Sequence, residues 1–355
     1  MAKKKKLVIK ESVGIDIGSH SIKLVHLKKM HTGFKLLNYA VRPTIPQGVD
    51  YSPSDLLPSR FAPILAGMLK ELKINPKKVK RLVSSIGGDN TSIKQIKTIF
   101  LPDEELESAL FFEAKKHLPI SGAEMVLDYQ TLGVEEKTNN MHILLAAATR
   151  TLINNHIDIL TSAELTPEVV DLEPLAITNS FTLNNMIEDG VYVFLNIGAH
   201  KTNMVIYGPK AKLFSRDISL GGYHITRDIM KKQNLSFEDA EQYKMDYGLA
   251  EPKKKKADSM LSLNIAEKTI LEQLSLEVKR SIRFYVKEAG NSDFRKVLLV
   301  GGSAKLKGLT KFLENELKLP IEIYNNYDNL QMSGDFAADP DPQFAVAIGL
   351  AMRPE

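Results

Sequence analysis

Apolar runs broken by small polar turns open the chain. Val13–Leu27 reads V-G-I-D-I, breaks at Gly18 into Ser19-His20-Ser21, and resumes as I-K-L-V-H-L. This pattern predicts two strands joined by a turn, with one carboxylate, Asp16, just before the break. Phe34–Val41 predicts a third strand, and Pro43, Pro46 and Gly48 a loop after it. Over Leu56–Leu72, apolar residues at Leu57, Phe61, Ile64, Leu65, Met68 and Leu72 have helical spacing, disturbed by Pro58 and Pro63. Val79–Ile86 predicts a strand ending at Gly87-Gly88. Strands, then a helix, then a strand make a mixed α/β pattern.

Thr91 to about Leu165 reads as a separate small α+β module. Ile93, Ile96 and Ile99 predict a strand. A helix follows Pro102, with Asp103 as its N-cap and Leu106, Leu110, Ala114 and Leu118 as its buried face. Val126–Leu132 and His142–Ala148 predict two strands across a polar loop, and Leu152–Ala163 a second helix. No acid/base pair or metal-ligand spacing stands out there, so the module reads as an interaction unit.

Val169-Val170-Asp171 returns to a strand, with Glu173-Pro174 and a helix at Leu175–Asn184 behind it. Then the opening pattern recurs. Val193–Tyr207 is V-F-L-N-I-G-A-H-K-T-N-M-V-I-Y. Without gaps, Asn196 falls on Asp16, Gly198 on Gly18, His200 on His20 and Val205 on Val25. Two strand–glycine turn–strand units half a chain apart predict two similar domains facing each other. Lys212–Ile218 adds a strand, Gly221-Gly222 a junction into a helix, and Ser236–Tyr247 a further helix. A long helix is predicted from about Ile265 to Glu288, with Leu271, Leu274, Val278, Ile282 and Tyr285 inward and Glu277, Arg280 and Ser281 on another face. Lys296–Val300 is a buried-strand run followed by Gly301-Gly302-Ser303 and a helix at Leu309–Leu317. Ile321–Tyr324 predicts a last strand, Asn325–Asp341 a polar loop, and Gln343–Met352 a short helix of small residues.

Composition narrows the classes. The chain of 355 residues is 43% hydrophobic and 25% charged, ordinary for a globular protein of two or more domains. Its net charge of +4 comes largely from Lys3–Lys6 and Lys253–Lys256. Both runs read as exposed, solvated segments, so no nucleic-acid role is expected. There is no cysteine, which excludes disulfides and thiolate metal sites. Lys10 and Glu11 interrupt any apolar core behind the N-terminal lysines, and no run approaches the ~18 apolar residues of a membrane span. A cytoplasmic protein is expected, with membrane association only through a partner.

Glycine turns that face each other can grip an anion, because glycine lets backbone amides approach it. Asp16 is placed to hold Mg²⁺ through water. The glycines at the Gly221-Gly222 junction let the backbone approach a ligand at a helix N-terminus, and the strand–glycine–helix junction at Gly301-Gly302-Ser303 suits a nucleotide's ribose and α-phosphate. His20 and His200 could be phosphate-side donors, a metal pair or plain turn residues.

Together and in order, these pieces resemble the actin/Hsp70/sugar-kinase ATPase superfamily. The motifs are Asp16–Ser21, Asn196–Thr202, Val297–Ser303 and Phe344–Ala351. Gly221–Ile229, Ala240–Gly248 and the inserted module are similar to the FtsA branch. Gly14–Val25, Leu101–Leu106 and Glu113–Pro119 resemble the PilM family of type IV pilus assembly. The resemblance implies a duplicated actin-like, ribonuclease H-like α/β fold with an FtsA-type insert. Its parts would be residues 1–90 and 166–190 for the first subdomain and 91–165 for the insert. Residues 191–222 and 293–342 would form the second actin-like subdomain, 223–292 a helical subdomain, and 343–355 a closing helix.

It also implies ATP and Mg²⁺ as ligands. Gly18, Ser19, His20, Ser21 and Lys23 would touch the phosphates, and Asp16 would hold the metal. Gly198, Lys201 and Thr202 would close from the other side. Gly222, Gly301, Gly302 and Ser303, with Glu277 and Arg280, would hold the nucleoside. Asn196 stands where the superfamily has an aspartate, so at most weak hydrolysis is expected. The implied role is an adaptor of the pilus inner-membrane platform. It would capture the N-terminal tail of a bitopic, PilN-like protein in a groove between the first subdomain and the module, beside other platform proteins. Self-association into a homo-oligomer is left open. The alternatives are an FtsA-like filament-forming ATPase and a small-molecule kinase. No terminal amphipathic helix of the FtsA kind follows the closing helix, which turns the expectation away from FtsA itself.

Overall fold

The computed structural model describes residues 11–52, 58–117, 125–135, 137–184, 187–249, 268–332 and 341–354. The two lysine runs, Leu56, Leu57 and Leu118 lie outside the described residues.

Two lobes share one topology. In the first, β1 (Glu11–Ile17), β2 (Ser21–Lys29) and β3 (Phe34–Pro43) form an antiparallel meander. α1 (Pro58–Glu71) follows it, and β4 (Leu82–Ile86) then lies parallel to β1. A module is inserted here: β5 (Thr91–Ile99), α2 (Asp103–His117), β6 (Met125–Glu135) and β7 (Asn140–Thr149). Its three strands lie in the order β5-β7-β6. α3 (Arg150–Ser162) leads back to β8 (Val169–Leu172), parallel to β4, and to α4 (Glu173–Asn184).

The second lobe repeats the plan. β9 (Val191–Ile197), β10 (Thr202–Tyr207) and β11 (Phe214–Ile218) form the meander. α5 (Gly222–Gln233), α6 (Phe237–Tyr247) and α7 (Ile270–Ala289) follow. β12 (Phe294–Val300), α8 (Leu309–Leu317) and β13 (Ile321–Ile323) complete the sheet. Then come β14 (Leu330–Met332) and α9 (Ala345–Met352). The first sheet has the order β14-β3-β2-β1-β4-β8 and the second β11-β10-β9-β12-β13. The central strands β1, β9 and β12 read as apolar runs because helices cover both faces of each sheet.

Those helices make the cores. α1 and α3 cover one face of the first sheet through Phe61, Leu65, Met68, Ile159 and Leu160. α5, α7 and α8 cover the outer face of the second through Ile225, Leu274, Val278, Leu309 and Leu313. α4 and α9 lie between the sheets, with Ala176, Phe181, Val346 and Leu350 packed on Val83, Phe194 and Leu298. Every residue of α9 is buried. Small residues bring its backbone against its neighbours. A Cβ on Gly349 would lie 1.7 Å from the carbonyl oxygen of Ala176 on α4, and one on Gly14 would lie 2.1 Å from that of Ala347.

Four expectations change. Residues 325–341 do not form only a loop: β14 pairs parallel with β3 and belongs to the first sheet, which moves a boundary expected at 342. Its three residues are too short for a period to register in sequence. The module ends at Thr149, not 165, because α3 buries Ile159 and Leu160 in the first lobe's core. Asp103 is the first residue of α2 rather than its cap. The helix expected from Ile265 begins at Ile270, capped by Thr269, whose hydroxyl accepts the N–H of Glu272 while the Glu272 carboxylate accepts that of Thr269.

His156 of α3 is buried against Ser84 of β4. The Ser84 hydroxyl donates to Ile15 O (2.6 Å), so it accepts from Nε2–H of His156 at 2.9 Å. Burial pushes this imidazole down to about 4, below its ordinary 6.5. The unfolded chain therefore takes up the proton first as pH falls, and stability rises with pH between those values. Urea melts at pH 7 and 4.5 should show an acid loss to which His156 contributes roughly 3 kcal/mol at full protonation, and His156→Gln should flatten the slope.

Gly349→Ala should cost about 3 kcal/mol by overpacking α9 on α4. Gly67→Ala, in an exposed turn of α1 with open space around it, should gain roughly 0.5 kcal/mol. Equal melting temperatures for the two variants would contradict the packing of α9.

Candidate functional site

The two hairpin turns face each other across a cleft of about 660 Å³. Each closes with the same backbone bond. Gly18 N–H donates to Ser21 O at 3.1 Å, and Gly198 N–H donates to Lys201 O at 2.9 Å. The turn carbonyls are held by the protein. Buried Thr44 donates its N–H to His20 O (2.9 Å) and its hydroxyl to Ser19 O (2.5 Å). In the second turn, Gly222 N–H and the Ser303 hydroxyl donate to Gly198 O, at 3.0 and 3.2 Å, and Tyr223 N–H donates to Ala199 O at 2.8 Å. With the carbonyls engaged, a concave turn offers amide hydrogens to an anion.

The charges are paired across the same space. Asp16, at the end of β1, accepts an ion pair from Lys23 Nζ at 3.1 Å. Burial raises its pKa, against the lowering pull of Lys23. Lys201 meets Glu173, the first residue of α4, at 3.1 Å. Burial disfavours the Lys201 charge, but Glu173, Asp217 and Asp16 outweigh it and raise its pKa. The Glu173 carboxylate lies over Gly87, where a Cβ would come within 2.4 Å of it.

Aromatic rings close one end. Tyr51 lies between the turn histidines, 6.4 Å from His20 and 4.9 Å from His200 by ring centroid. Among the described residues no group of three or more His, Cys, Asp or Glu could hold a metal. His200 also packs on Tyr223 at 4.5 Å. Burial, then the nearby His224 and His20, hold His200 down at about 4, so it is neutral at pH 7. Its Nε2 is buried with no hydrogen-bond partner among the described residues. Burial also lowers His20 and raises Tyr51 to about 12.

The other end is built on glycine. Gly301 has φ +86°, and a Cβ there would meet Asn196 Oδ1 and Ile197 O at 2.6 Å. A Cβ on Gly222 would meet Ser303 Oγ at 2.4 Å. On α6, Lys244 donates to Glu241 Oε1 (2.6 Å) and to the hydroxyl of Thr226 (2.8 Å), which itself reaches Glu241. Glu241, Lys244, Met245 and Leu306 line this end.

The structure thus brings Asp16, Gly18, Ser19, His20, Ser21, Lys23, Asn196, Gly198, Lys201, Gly222, Gly301, Gly302 and Ser303 to one cleft. It does not bring three others. Thr202 is fully buried and donates to Leu220 O at 2.7 Å. Glu277 and Arg280 pair with each other at 2.5 Å, and Glu277 also takes Arg216 of β11 at 2.8 Å. Their shared helix face packs along the sheet edge, away from the cleft. The sequence pattern assigns no role to Glu173, Glu241, Lys244 and Tyr51, all of which line the cleft. Glu173-Pro174 at a strand–helix junction and Glu241–Lys244 at helical spacing were visible signals without a direction. A second cavity of about 760 Å³ lies elsewhere, bounded by Leu132, His142 and Leu144 of the module, Leu175 and Thr178 of α4, and the β10–β11 turn.

A solved structure titled PilM-PilN type IV pilus biogenesis complex contains a similar chain. It aligns over 98% of this chain and 99% of its own length, with TM-score 0.77 and 26% identity. The ethanolamine utilization protein EutJ of Carboxydothermus hydrogenoformans shares the fold at TM-score 0.51 and 16% identity, over 98% and 90% of the two chains. Curated relatives include cell division proteins FtsA. That of Rhizobium meliloti is 24% identical over 238 residues, 61% of this chain and 51% of its own. That of Helicobacter pylori strain J99 is 23% identical over 207 residues, 52% and 42%. The chain therefore spans about half the length of the curated relatives it matches. The duplicated lobes have the actin-like fold. The model of the family described as type IV pilus assembly protein PilM matches residues 14–355, from the first hairpin through the closing helix, and the chain belongs to that family.

Proposed function

We propose that this chain is a nucleotide-loaded adaptor of the type IV pilus platform, binding ATP with Mg²⁺ in the cleft. The facing pair of glycine turns carries the reading. The cleft volume suits a nucleotide-sized ligand. The partnerless Nε2 of His200 calls for a partner, and a phosphate oxygen supplies one. The turn amides, Lys23 and Lys201 would hold phosphates. Asp16, freed from Lys23 as that lysine turns to phosphate, would hold Mg²⁺ through water. Glu241 and Lys244 suit ribose hydroxyls, and Gly301-Gly302-Ser303 with Met245 and Leu306 suit the base. Bound Mg²⁺ would neutralise phosphate charge.

Hydrolysis is at most slow in this reading. Asn196 brings no charge, and Glu173, a carboxylate that faces the second turn, is engaged by Lys201. A ligand touching both turns binds the closed arrangement better than an open one, and that difference in affinity is what sets the lobe angle.

The partner reading is that the chain captures the short cytoplasmic tail of a bitopic inner-membrane protein and reaches the membrane only through it. Among the described residues, no helix is long and apolar enough to cross a membrane. The second cavity, between the module and α4, is the groove we assign to that tail.

Isothermal titration tests the cleft. Gly301→Val should abolish ATP binding, and Asp16→Ala should weaken it at least ~10-fold in the presence of Mg²⁺. Unchanged affinity in both would remove the site assignment. For the groove, Leu132 is 49% exposed, so Leu132→Asp should fold normally. It should weaken capture of a synthetic partner tail by roughly tenfold, the worth of one lost apolar contact. Full capture by this variant would place the tail elsewhere.

A further inference from the structure

The loop after β3 crosses the mouth of the cleft. Residues 44–52 begin on the first turn, where Thr44 holds the carbonyls of Ser19 and His20. They end on the second lobe. The Asp50 carboxylate accepts from Tyr223 Oη at 2.9 Å and from Arg227 Nη1 at 2.5 Å, both on α5. The Arg227 guanidinium also lies 5.8 Å from the Tyr223 ring centre, within cation–π range. α5 starts from the second turn through the bonds of Gly222 and Tyr223 to Gly198 and Ala199. The loop therefore ties one turn to the other.

Between its two anchors the loop is closely packed. Ile45 and Tyr51 are buried. Gly48, at φ +76°, lies so near α6 that a Cβ would meet Glu238 Cγ at 2.7 Å. Tyr51 meets His200 edge-on and lies beside His20, and burial lowers the pKa of both imidazoles, so these are contacts of neutral rings rather than charged ones. Pro43 and Pro46 stiffen the crossing by fixing backbone φ.

We infer that residues 44–52 are a strap over the phosphate end of the cleft, with Tyr51 as its cover and Asp50 as its latch to α5, so that bound nucleotide leaves only after the latch breaks. The inference rests on the nucleotide reading of the cleft and adds what governs release. A ligand held by turn amides alone would be open to water at this end. With Tyr51 seated between His20 and His200, water reaches the phosphates only when the strap lifts. Lifting it costs the two hydrogen bonds to one carboxylate and separates the lobes at the same moment. Exchange of nucleotide and opening of the lobes thus become one event.

Stopped-flow release of a fluorescent ADP, N-methylanthraniloyl-ADP, from the full chain tests this. Asp50→Ala should speed release about threefold, as expected for the loss of an exposed ion pair with its hydrogen bond. Arg227→Ala should do the same in part. The swap Asp50→Arg with Arg227→Asp should move release back towards the original rate, which general loosening would not do. Release at the original rate from an Asp50→Ala variant that melts normally overturns the strap and leaves the cleft assignment standing. A parent protein that takes up no fluorescent ADP, and no ATP by titration, overturns both.

Discussion

Backbone contact between two helices sets the geometry on which everything else depends. α9 lies against α4 with no side chain between Gly349 and the Ala176 carbonyl, and against β1 with none at Gly14. Both sheets rest on this central pair. Protein interiors are close-packed, so the pair cannot shift by a fraction of an ångström without a cost. The consequence is felt at the cleft. α4 begins at Glu173, and the position of its first turn brings that carboxylate to Lys201 of the opposing hairpin. The closing helix thus positions the site, and only its first turn, at Val346, reaches the cleft wall.

Duplication supplies the second feature. One strand–turn–strand unit binds an anion weakly, because a single turn offers only a few amides. Two units placed face to face double the number of amides that line one cleft, and contacts in a low-dielectric space are stronger than in water. The two copies are not equal. The first carries Asp16 and pairs it with Lys23 from the same hairpin. The second carries Asn196, and its lysine, Lys201, pairs outside its own hairpin with Glu173. The two turns therefore present different charges to the cleft: a carboxylate paired within the first hairpin, and an amide with an outward-paired lysine in the second.

Much of this was legible from residue order alone. The two hairpins, their matched glycines, the Gly301-Gly302-Ser303 junction and the small-residue closing helix follow from local rules: alternation, turn chemistry and helical spacing. Most residues assigned from those motifs meet in one cleft, because a motif fixes its own local geometry wherever the fold carries it. Thr202, at the end of the second turn, points into the core instead, and the other two misplaced residues were assigned without a turn around them. Glu277 and Arg280 sit on a helix face, and spacing tells which residues share a face but not what that face meets.

The sequence by itself determined the repeated α/β plan, the inserted module and the glycine turns, since each is written in contacts a few residues apart. Only the tertiary structure decided that α3 belongs to the first lobe, that β14 crosses back to complete the first sheet, and that Glu173, Tyr51 and Glu241 enter the cleft. It also decided that Asp50 reaches Arg227 across 177 positions. Such contacts depend on how separate elements pack, and no local pattern of apolar and polar residues encodes the direction in which one element meets another.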